Sequence, residues 1–221
     1  PMLYFAGRNK PAAVIITASH NPAQYNGMKF CRENSRTVGG DTGIYEIEKL
    51  FQSRTFTTQK KKGAITEKNI EQEFIQHHLP YTKGISNLHL VFDFANAMGG
   101  YEFPLVFDKI NCEKTYLFKE LDGTFPNHEA NPLKYETLKT LSETVVRQKA
   151  DIGIATDGDC DRVGFVDERG TYISGDIITA VIAKQLLKNN PHEKIIYCVK
   201  SSRILKETIL EHNGRPIQWK T

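Results

Sequence analysis

Three carboxylates occur at alternate positions of one short segment, Asp157–Arg162 (DGDCDR), which we call the aspartate loop. Three negative charges this close repel one another unless a hard cation such as Mg²⁺ or Ca²⁺ lies among them. Arg162 adds a planar guanidinium that can pair with a carboxylate or a phosphate. We interpret Asp157, Asp159 and Asp161 as metal ligands. The alternative is a solvated acidic turn.

A calcium-binding EF-hand is a more specific alternative for the same residues. Asp157, Asp159, Asp161 and Glu168 match the first, third, fifth and twelfth positions of that loop. Arg162, however, stands where the EF-hand needs glycine for its sharp turn. The flanking residues also have the composition of strands rather than of the two helices of an EF-hand. We therefore do not favour a calcium loop.

A second segment of possible chemistry is Thr17–Gly27 (TASHNPAQYNG), here called the serine loop, with Lys29 just beyond it. It follows an apolar run, Ala12–Thr17, that predicts a buried strand, and ligands of α/β proteins bind where such strands end. Ser19 is a candidate nucleophile, His20 a candidate proton donor or acceptor, and Lys29 a fixed positive charge or acid. The alternative is a surface turn shaped by its Asn and Pro residues.

A serine nucleophile combined with a divalent metal ion is the pairing that phosphoryl transfer requires. The metal neutralises the non-bridging oxygens, and a positioned oxygen accepts the phosphoryl group. The sequence contains no GxxxxGK[ST] motif, which argues against a P-loop nucleotidase.

The composition is that of an ordinary globular protein. Hydrophobic residues make up 39% of the 221 residues and charged residues 25%. The formal net charge of +3 argues against a nucleic-acid binder, and no apolar run reaches the roughly 20 residues of a membrane span. Four scattered cysteines and no signal-peptide pattern predict reduced thiols and a cytoplasmic location. Nothing in the sequence indicates an oligomeric state.

Strand-like and helix-like segments alternate along the chain. This pattern predicts an α/β fold with consecutive domains and mixed, mostly parallel sheets. We divide the chain into residues 1–72 with the serine loop, 73–173 with the aspartate loop, and 174–221. The first and last units are too short for whole α/β domains, so we expect truncation at both ends.

Two further segments carry predictions about local structure. Asn131-Pro132 has the composition of a helix start, and apolar residues follow it at near-helical spacing, namely Leu133, Leu138, Leu141, Val145 and Val146. Residues 53–69 are polar and are predicted to be irregular.

The serine loop with Lys29, followed about 140 residues later by the aspartate loop, resembles the α-D-phosphohexomutase superfamily. The similarity is greatest to the bacterial phosphomannomutase/phosphoglucomutase branch. Further matches are Phe125–His128 with Asn131-Pro132, and the residues from Val199-Lys200 to Trp219-Lys220-Thr221. The resemblance covers essentially the whole chain.

The resemblance implies a role for each candidate residue. Ser19 is expected to be the phosphoserine, and its phosphate oxygen would complete a Mg²⁺ site with the three aspartates. His20 and Lys29 would assist proton transfer and charge stabilisation, and Arg162 would lie beside the phosphoserine. The phosphorylated hexose substrate, glucose or mannose, would exchange its 1-phosphate for a 6-phosphate through a bisphosphorylated sugar. Hexose 1,6-bisphosphate is the expected activator.

The resemblance also implies that this chain lacks parts of the enzyme. Members of the superfamily have four domains, whereas this sequence begins just before the serine loop and ends before the sugar-recognition loop and the fourth domain. We therefore expect little mutase activity from the chain alone. The alternatives are a metal-dependent phosphomonoesterase using the same serine, or an inactive fragment that binds metal or phosphosugar. For His128 we expect a role in shaping its loop rather than in the chemistry.

Overall fold

The computed structural model of the chain describes residues 1–57 and 60–220, in which three sheets alternate with helices. The strands are β1 Ala12–Ile16, β2 Met28–Arg32, β3 Arg36–Thr37, β4 His89–Asp93, β5 Glu113–Leu117, β6 Ile152–Thr156, β7 Val163–Asp167, β8 Tyr172–Ile173, β9 Lys194–Cys198 and β10 Arg215–Trp219. The α-helices are α1 Met2–Ala6, α2 Ile44–Ser53, α3 Glu71–His78, α4 Gly99–Phe107, α5 Lys139–Gln148, α6 Gly175–Asn189 and α7 Arg203–Glu211.

The first sheet is an antiparallel hairpin of β1 and β2 with the short strand β3 beside it. The serine loop connects β1 to β2, so the ends of the hairpin position Ser19 and Lys29. The prediction that β1 is buried is wrong, because Val14 is 52% exposed and Ile16 68% exposed. Alternate side chains of a strand point to opposite faces, and in β1 only the face of Ala13 and Ile15 is partly covered.

The central sheet has five strands in the order β5-β4-β6-β7-β8. Strands β5, β4 and β6 are parallel, and β7 and β8 add antiparallel hairpins. The aspartate loop is the β6–β7 hairpin connection, next to the turn that leaves the carboxyl end of β4. Across the described strands three pairings are parallel and four antiparallel, so the sheets are mixed as expected but not mostly parallel. The hairpins account for the difference, since a short connection forces an antiparallel pair.

Apolar side chains cover both faces of the central sheet. On one face α5 buries Leu141 and Val145 completely. On the other face Phe92 packs against the rings of Phe103 and Phe107, with ring centroids 5.8 and 4.8 Å away. Burial of this extent provides most of the stabilisation of a domain and makes the central sheet a rigid base for the loops at its edge.

The helix predicted to open at Asn131-Pro132 begins later. Residues 135–138 form a 3₁₀ turn, and α5 starts at Lys139. The Asn131 side chain accepts the Leu133 amide at 3.2 Å as a helix cap would, but the extended backbone of Lys134 interrupts the helix before the 3₁₀ turn. Two of the apolar residues at near-helical spacing lie outside the core, since Leu133 is 60% exposed and Val146 51% exposed.

The last sheet pairs β9 and β10 in parallel, and α6 and α7 pack on it around Leu187, Leu205 and Ile209. The irregular segment predicted for residues 53–69 has no helix or strand beyond Ser53 among its described residues, and Thr58 and Gln59 lie outside the described residues, as does Thr221. In the described chain no helix has both the length and the apolar character needed to cross a bilayer.

Candidate active site

The serine loop holds Ser19 in an unusual backbone conformation. The Thr17 amide donates to the Gly27 carbonyl at 2.9 Å and closes the loop, and the Ser19 amide donates to Thr17 Oγ1 at 2.8 Å. Ser19 has a φ of 56°, in the left-handed region that side-chain-bearing residues enter at a cost of about 1 kcal/mol. Such strain at a half-buried hydroxyl is characteristic of functional positions.

The aspartate loop is held by hydrogen bonds to its own first residue. The Asp157 amide donates to the Arg162 carbonyl at 3.2 Å, and the Arg162 amide donates to Asp157 Oδ1 at 3.1 Å. Asp157 is fully buried and Asp159 is 6% exposed, so two carboxylates are removed from solvent side by side. The strands on both sides of the loop exclude the helices of an EF-hand.

The two loops meet although 138 residues separate them in sequence. Ser19 Oγ donates a hydrogen bond to Asp157 Oδ2 at 3.2 Å. The backbones also touch, because a Cβ atom added to Gly158 would lie 2.0 Å from the Ser19 carbonyl oxygen. A glycine at this position is therefore required for the close approach.

Two further predicted residues surround the serine hydroxyl. Lys29 Nζ lies 2.5 Å from Asp159 Oδ2, 2.5 Å from Asp161 Oδ2 and 3.4 Å from Ser19 Oγ. His20 Nδ1 lies 3.3 Å from the same Oγ, with either atom able to donate.

Arg162 contributes to the site in a different way from its neighbours. Its backbone closes the aspartate loop, whereas no hydrogen bond or ion pair of its guanidinium occurs within residues 1–57 and 60–220. The sequence argument that Arg162 pairs with a nearby anion thus stays a prediction.

The electrostatics of the site favour a bound cation. Burial raises the pKa of Asp157, and the neighbouring charges of Asp159 and Asp161 raise it further, against the opposing hydrogen bonds from Arg162 and Ser19. Burial alone lowers the pKa of Lys29, but its hydrogen bonds and charge interactions with the two aspartates raise it overall. In the part of the chain that the structure describes, three carboxylates share a single ammonium group, that of Lys29, so a bound cation would offset their mutual repulsion.

The donor set fits a hard divalent metal ion. One carboxylate oxygen from each aspartate lies within 4.8 Å of the others. Asp159 Oδ1 is buried and has no hydrogen-bond partner among the described residues, so this oxygen has the capacity to bind a cation. Oxygen ligands in this number are those that Mg²⁺ accepts, usually with water or a phosphate oxygen completing the shell.

One support of the site has little signal in the sequence. The Met98 amide, in the turn after β4, donates to the Gly158 carbonyl at 3.3 Å. Gly99 lies next to Thr156, since a Cβ atom added to it would be 2.4 Å from Thr156 Oγ1. The adjacent pair Gly99-Gly100 after a strand was the available hint of a close backbone approach.

Two stretches of the chain match described domain families. Residues 1–58 match the phosphoglucomutase/phosphomannomutase alpha/beta/alpha domain I, and residues 70–170 match domain II of the same family. The chain belongs to the phosphoglucomutase/phosphomannomutase family. The resemblance seen in the serine and aspartate loops is thereby confirmed.

Curated and solved relatives agree with the phosphoglucomutase/phosphomannomutase assignment. The phosphoglucomutase of Neisseria meningitidis is 37% identical, in an alignment that covers 100% of this chain and 48% of the relative. The phosphomannomutase/phosphoglucomutase of Pseudomonas syringae is 37% identical and is covered to 47% by all of this chain. A family protein from Burkholderia thailandensis superposes with a TM-score of 0.89 at 32% identity, over 95% of this chain and 45% of its own. The chain spans about half the length of the curated relatives it matches.

Proposed function

We propose that this chain carries the phosphoserine loop and the metal loop of a Mg²⁺-dependent phosphohexomutase. The reaction interconverts a hexose 1-phosphate and a hexose 6-phosphate, of glucose or mannose, through a bisphosphorylated sugar. The observation that supports this most directly is the hydroxyl of Ser19 at 3.2 Å from a buried carboxylate of the three-aspartate cluster. The names of the relatives favour a mutase over a phosphomonoesterase.

Each residue has a distinct task in this proposal. Asp157, Asp159 and Asp161 hold Mg²⁺, which when bound neutralises the non-bridging oxygens of the phosphoryl group. Ser19 Oγ accepts the phosphoryl group from the bisphosphorylated sugar as the bond from phosphorus to the sugar oxygen breaks. A serine phosphate is stable enough to persist while the sugar turns around, provided that water is excluded.

The groups around the hydroxyl manage its proton and the charge that develops. His20, at 3.3 Å, takes the Ser19 proton as the phosphoryl group arrives and passes it to the sugar oxygen that leaves, and both proton transfers reverse when the group returns to the sugar. Lys29, at 3.4 Å, stabilises negative charge on the same oxygen. We assign the Arg162 guanidinium to the phosphoserine oxygens, because a planar fork of donors matches a phosphate.

Phosphorylation of the serine tests the proposal separately from turnover. The chain is incubated with Mg²⁺ and hexose 1,6-bisphosphate, and its intact mass and peptide map are measured. We expect one phosphoryl group on Ser19, dependent on Mg²⁺ and lost in Ser19→Ala. Ser174→Ala is the matched control, because Ser174 also hydrogen-bonds a carboxylate, that of Asp176. A phosphoryl group that persists in Ser19→Ala, or the absence of phosphorylation in a folded chain that binds Mg²⁺, would refute the assignment of the serine.

We also propose that residues 1–221 accept a phosphoryl group on Ser19 without completing the mutase cycle, because the relatives are about twice as long. A coupled assay of hexose 6-phosphate formation from hexose 1-phosphate tests this. Turnover at a rate typical of enzymes, on the order of 10 per second, would contradict it.

A further inference from the structure

The turn that follows β4 contacts the aspartate loop through a backbone hydrogen bond. This turn, residues 94–98, brings the Met98 amide to the Gly158 carbonyl at 3.3 Å. Gly158 lies between Asp157 and Asp159, so this hydrogen bond joins the turn to the segment that carries two of the proposed metal ligands.

The turn needs external support because its backbone is strained. Ala95 and Asn96 have φ angles of 47° and 59°, two consecutive residues in the left-handed region. The Asn96 side chain donates to the Glu120 carbonyl at 2.9 Å and accepts from Asn127 Nδ2 at 2.7 Å. The Ala95 amide donates to Asp93 Oδ1 at 3.0 Å. Two groups thus hold the turn in place, namely the Asn127 side chain and the Asp93 carboxylate.

His128 follows Asn127 in the chain and contacts Asp93, so it connects the two groups that hold the turn. Its Nε2 lies 3.0 and 3.1 Å from the two carboxylate oxygens of Asp93, and its Nδ1 lies 3.0 Å from the Glu129 carbonyl. A carbonyl and an ionised carboxylate only accept hydrogen bonds, whereas a neutral imidazole has a single N–H. Both contacts are satisfied when the ring is an imidazolium. Asp93 is 1% exposed, so the pair is shielded from water.

We propose that His128, as an imidazolium paired with Asp93, is a positioning residue that holds the turn 94–98 against the aspartate loop. The effect on metal binding rests on the function proposed above, but the effect on the turn does not. The pairing is strong because hydrogen bonds between charged groups are stronger than those between neutral groups.

The surroundings of the ring make the pairing depend on pH in one direction. Asp93 is the charged group in contact with His128 among the described residues, since the Glu129 carboxylate pairs with Lys134 and the Phe118 ring meets the imidazole edge-on. Burial lowers the pKa of His128, but the hydrogen bond and the charge of Asp93 raise it overall. The stabilisation is fully present below the pKa of an unfolded histidine and is lost as pH rises through the higher folded value.

His128→Gln tests the proposal, with His89→Gln as the matched control. His89 lies at the opposite end of β4, and its side chain is 14% exposed, against 18% for His128. Three quantities are measured: the protonation of both His128 nitrogens by ¹⁵N NMR, the protection of the Met98 amide against hydrogen exchange, and the dissociation constant of Mg²⁺.

We expect both nitrogens of His128 to carry protons at neutral pH. In His128→Gln we expect about tenfold lower protection of the Met98 amide and about tenfold weaker Mg²⁺ binding, with neither change in the control. In the unmodified chain, Met98 protection, corrected for intrinsic exchange, should fall along the titration curve of His128. This last measurement keeps the test valid if the variant does not fold.

The outcomes separate the two proposals. A His128 with a single N–H at neutral pH, or Met98 protection that does not change along its titration, overturns the positioning role. If the chain does not bind Mg²⁺ but Met98 protection still depends on His128, the metal assignment fails and the positioning role stands.

Discussion

Gly158→Ala is the substitution whose effect follows most directly from the structure. The added Cβ would lie 2.0 Å from the Ser19 carbonyl oxygen, about 1 Å closer than such atoms approach in real proteins. The obstacle is backbone rather than the end of a flexible side chain, so the two loops must move apart. The hydrogen bond from Ser19 Oγ to Asp157, already 3.2 Å long, then exceeds hydrogen-bond distance.

We expect this separation to impair the site more than the fold. Overpacking costs about 1–3 kcal/mol, whereas a displacement of about 1 Å between reacting groups can slow a reaction roughly hundredfold. The assay is the rate of Ser19 phosphorylation by hexose 1,6-bisphosphate, with thermal unfolding measured in parallel. The control is Gly123→Ala, where the added Cβ has no atom within 4 Å in the described part of the chain other than those of the glycine and its two chain neighbours. Phosphorylation at the unmodified rate in Gly158→Ala would refute the claim that this contact aligns the two loops.

Three other substitutions test the electrostatics and the core. Lys29→Met removes an ammonium group that pairs with two of the proposed metal-binding carboxylates. Calorimetry should therefore show about tenfold tighter Mg²⁺ binding, whereas weaker binding would mean that Lys29 orders the loop instead. Burial raises the pKa of Glu102, so the unmodified chain should lose stability as pH rises from the usual glutamate range through the raised value. Urea unfolding of Glu102→Gln should lack that loss, and a pH profile like that of the unmodified chain would contradict this. Leu141→Ala should lower the free energy of unfolding by about 2–5 kcal/mol, because this side chain is fully buried. Leu133→Ala, at an exposed position, should lower it by less than about 1 kcal/mol, and equal losses would place Leu141 outside the core.

Much of the fold could be predicted because its signals are local. The alternation of strand-like and helix-like segments predicted an α/β fold with mixed sheets, and the structure has one. The two strands around the aspartate loop follow from its flanking residues and exclude an EF-hand. The helix expected at Asn131-Pro132 begins later because Lys134 has an extended backbone, which interrupts the helix before α5.

Burial was harder to predict than secondary structure. The β1 segment has the composition of a buried strand, but Val14 and Ile16 face outward with no covering layer among the described residues. Composition states how apolar a strand is, whereas burial depends on what packs against each face. The mixture of parallel and antiparallel pairs likewise depends on which strands become neighbours.

The sequence by itself determined the chemistry available to this protein: a serine beside a histidine and a lysine in one loop, and three alternating aspartates in another. These choices are readable because each motif lies within a few residues, where covalent spacing limits the distances. Only the tertiary structure decided that Ser19 reaches Asp157 across 138 residues, that Gly158 admits the contact, and that His128 finds Asp93. Such partners are set by the packing of whole domains, and no spacing along the chain encodes them.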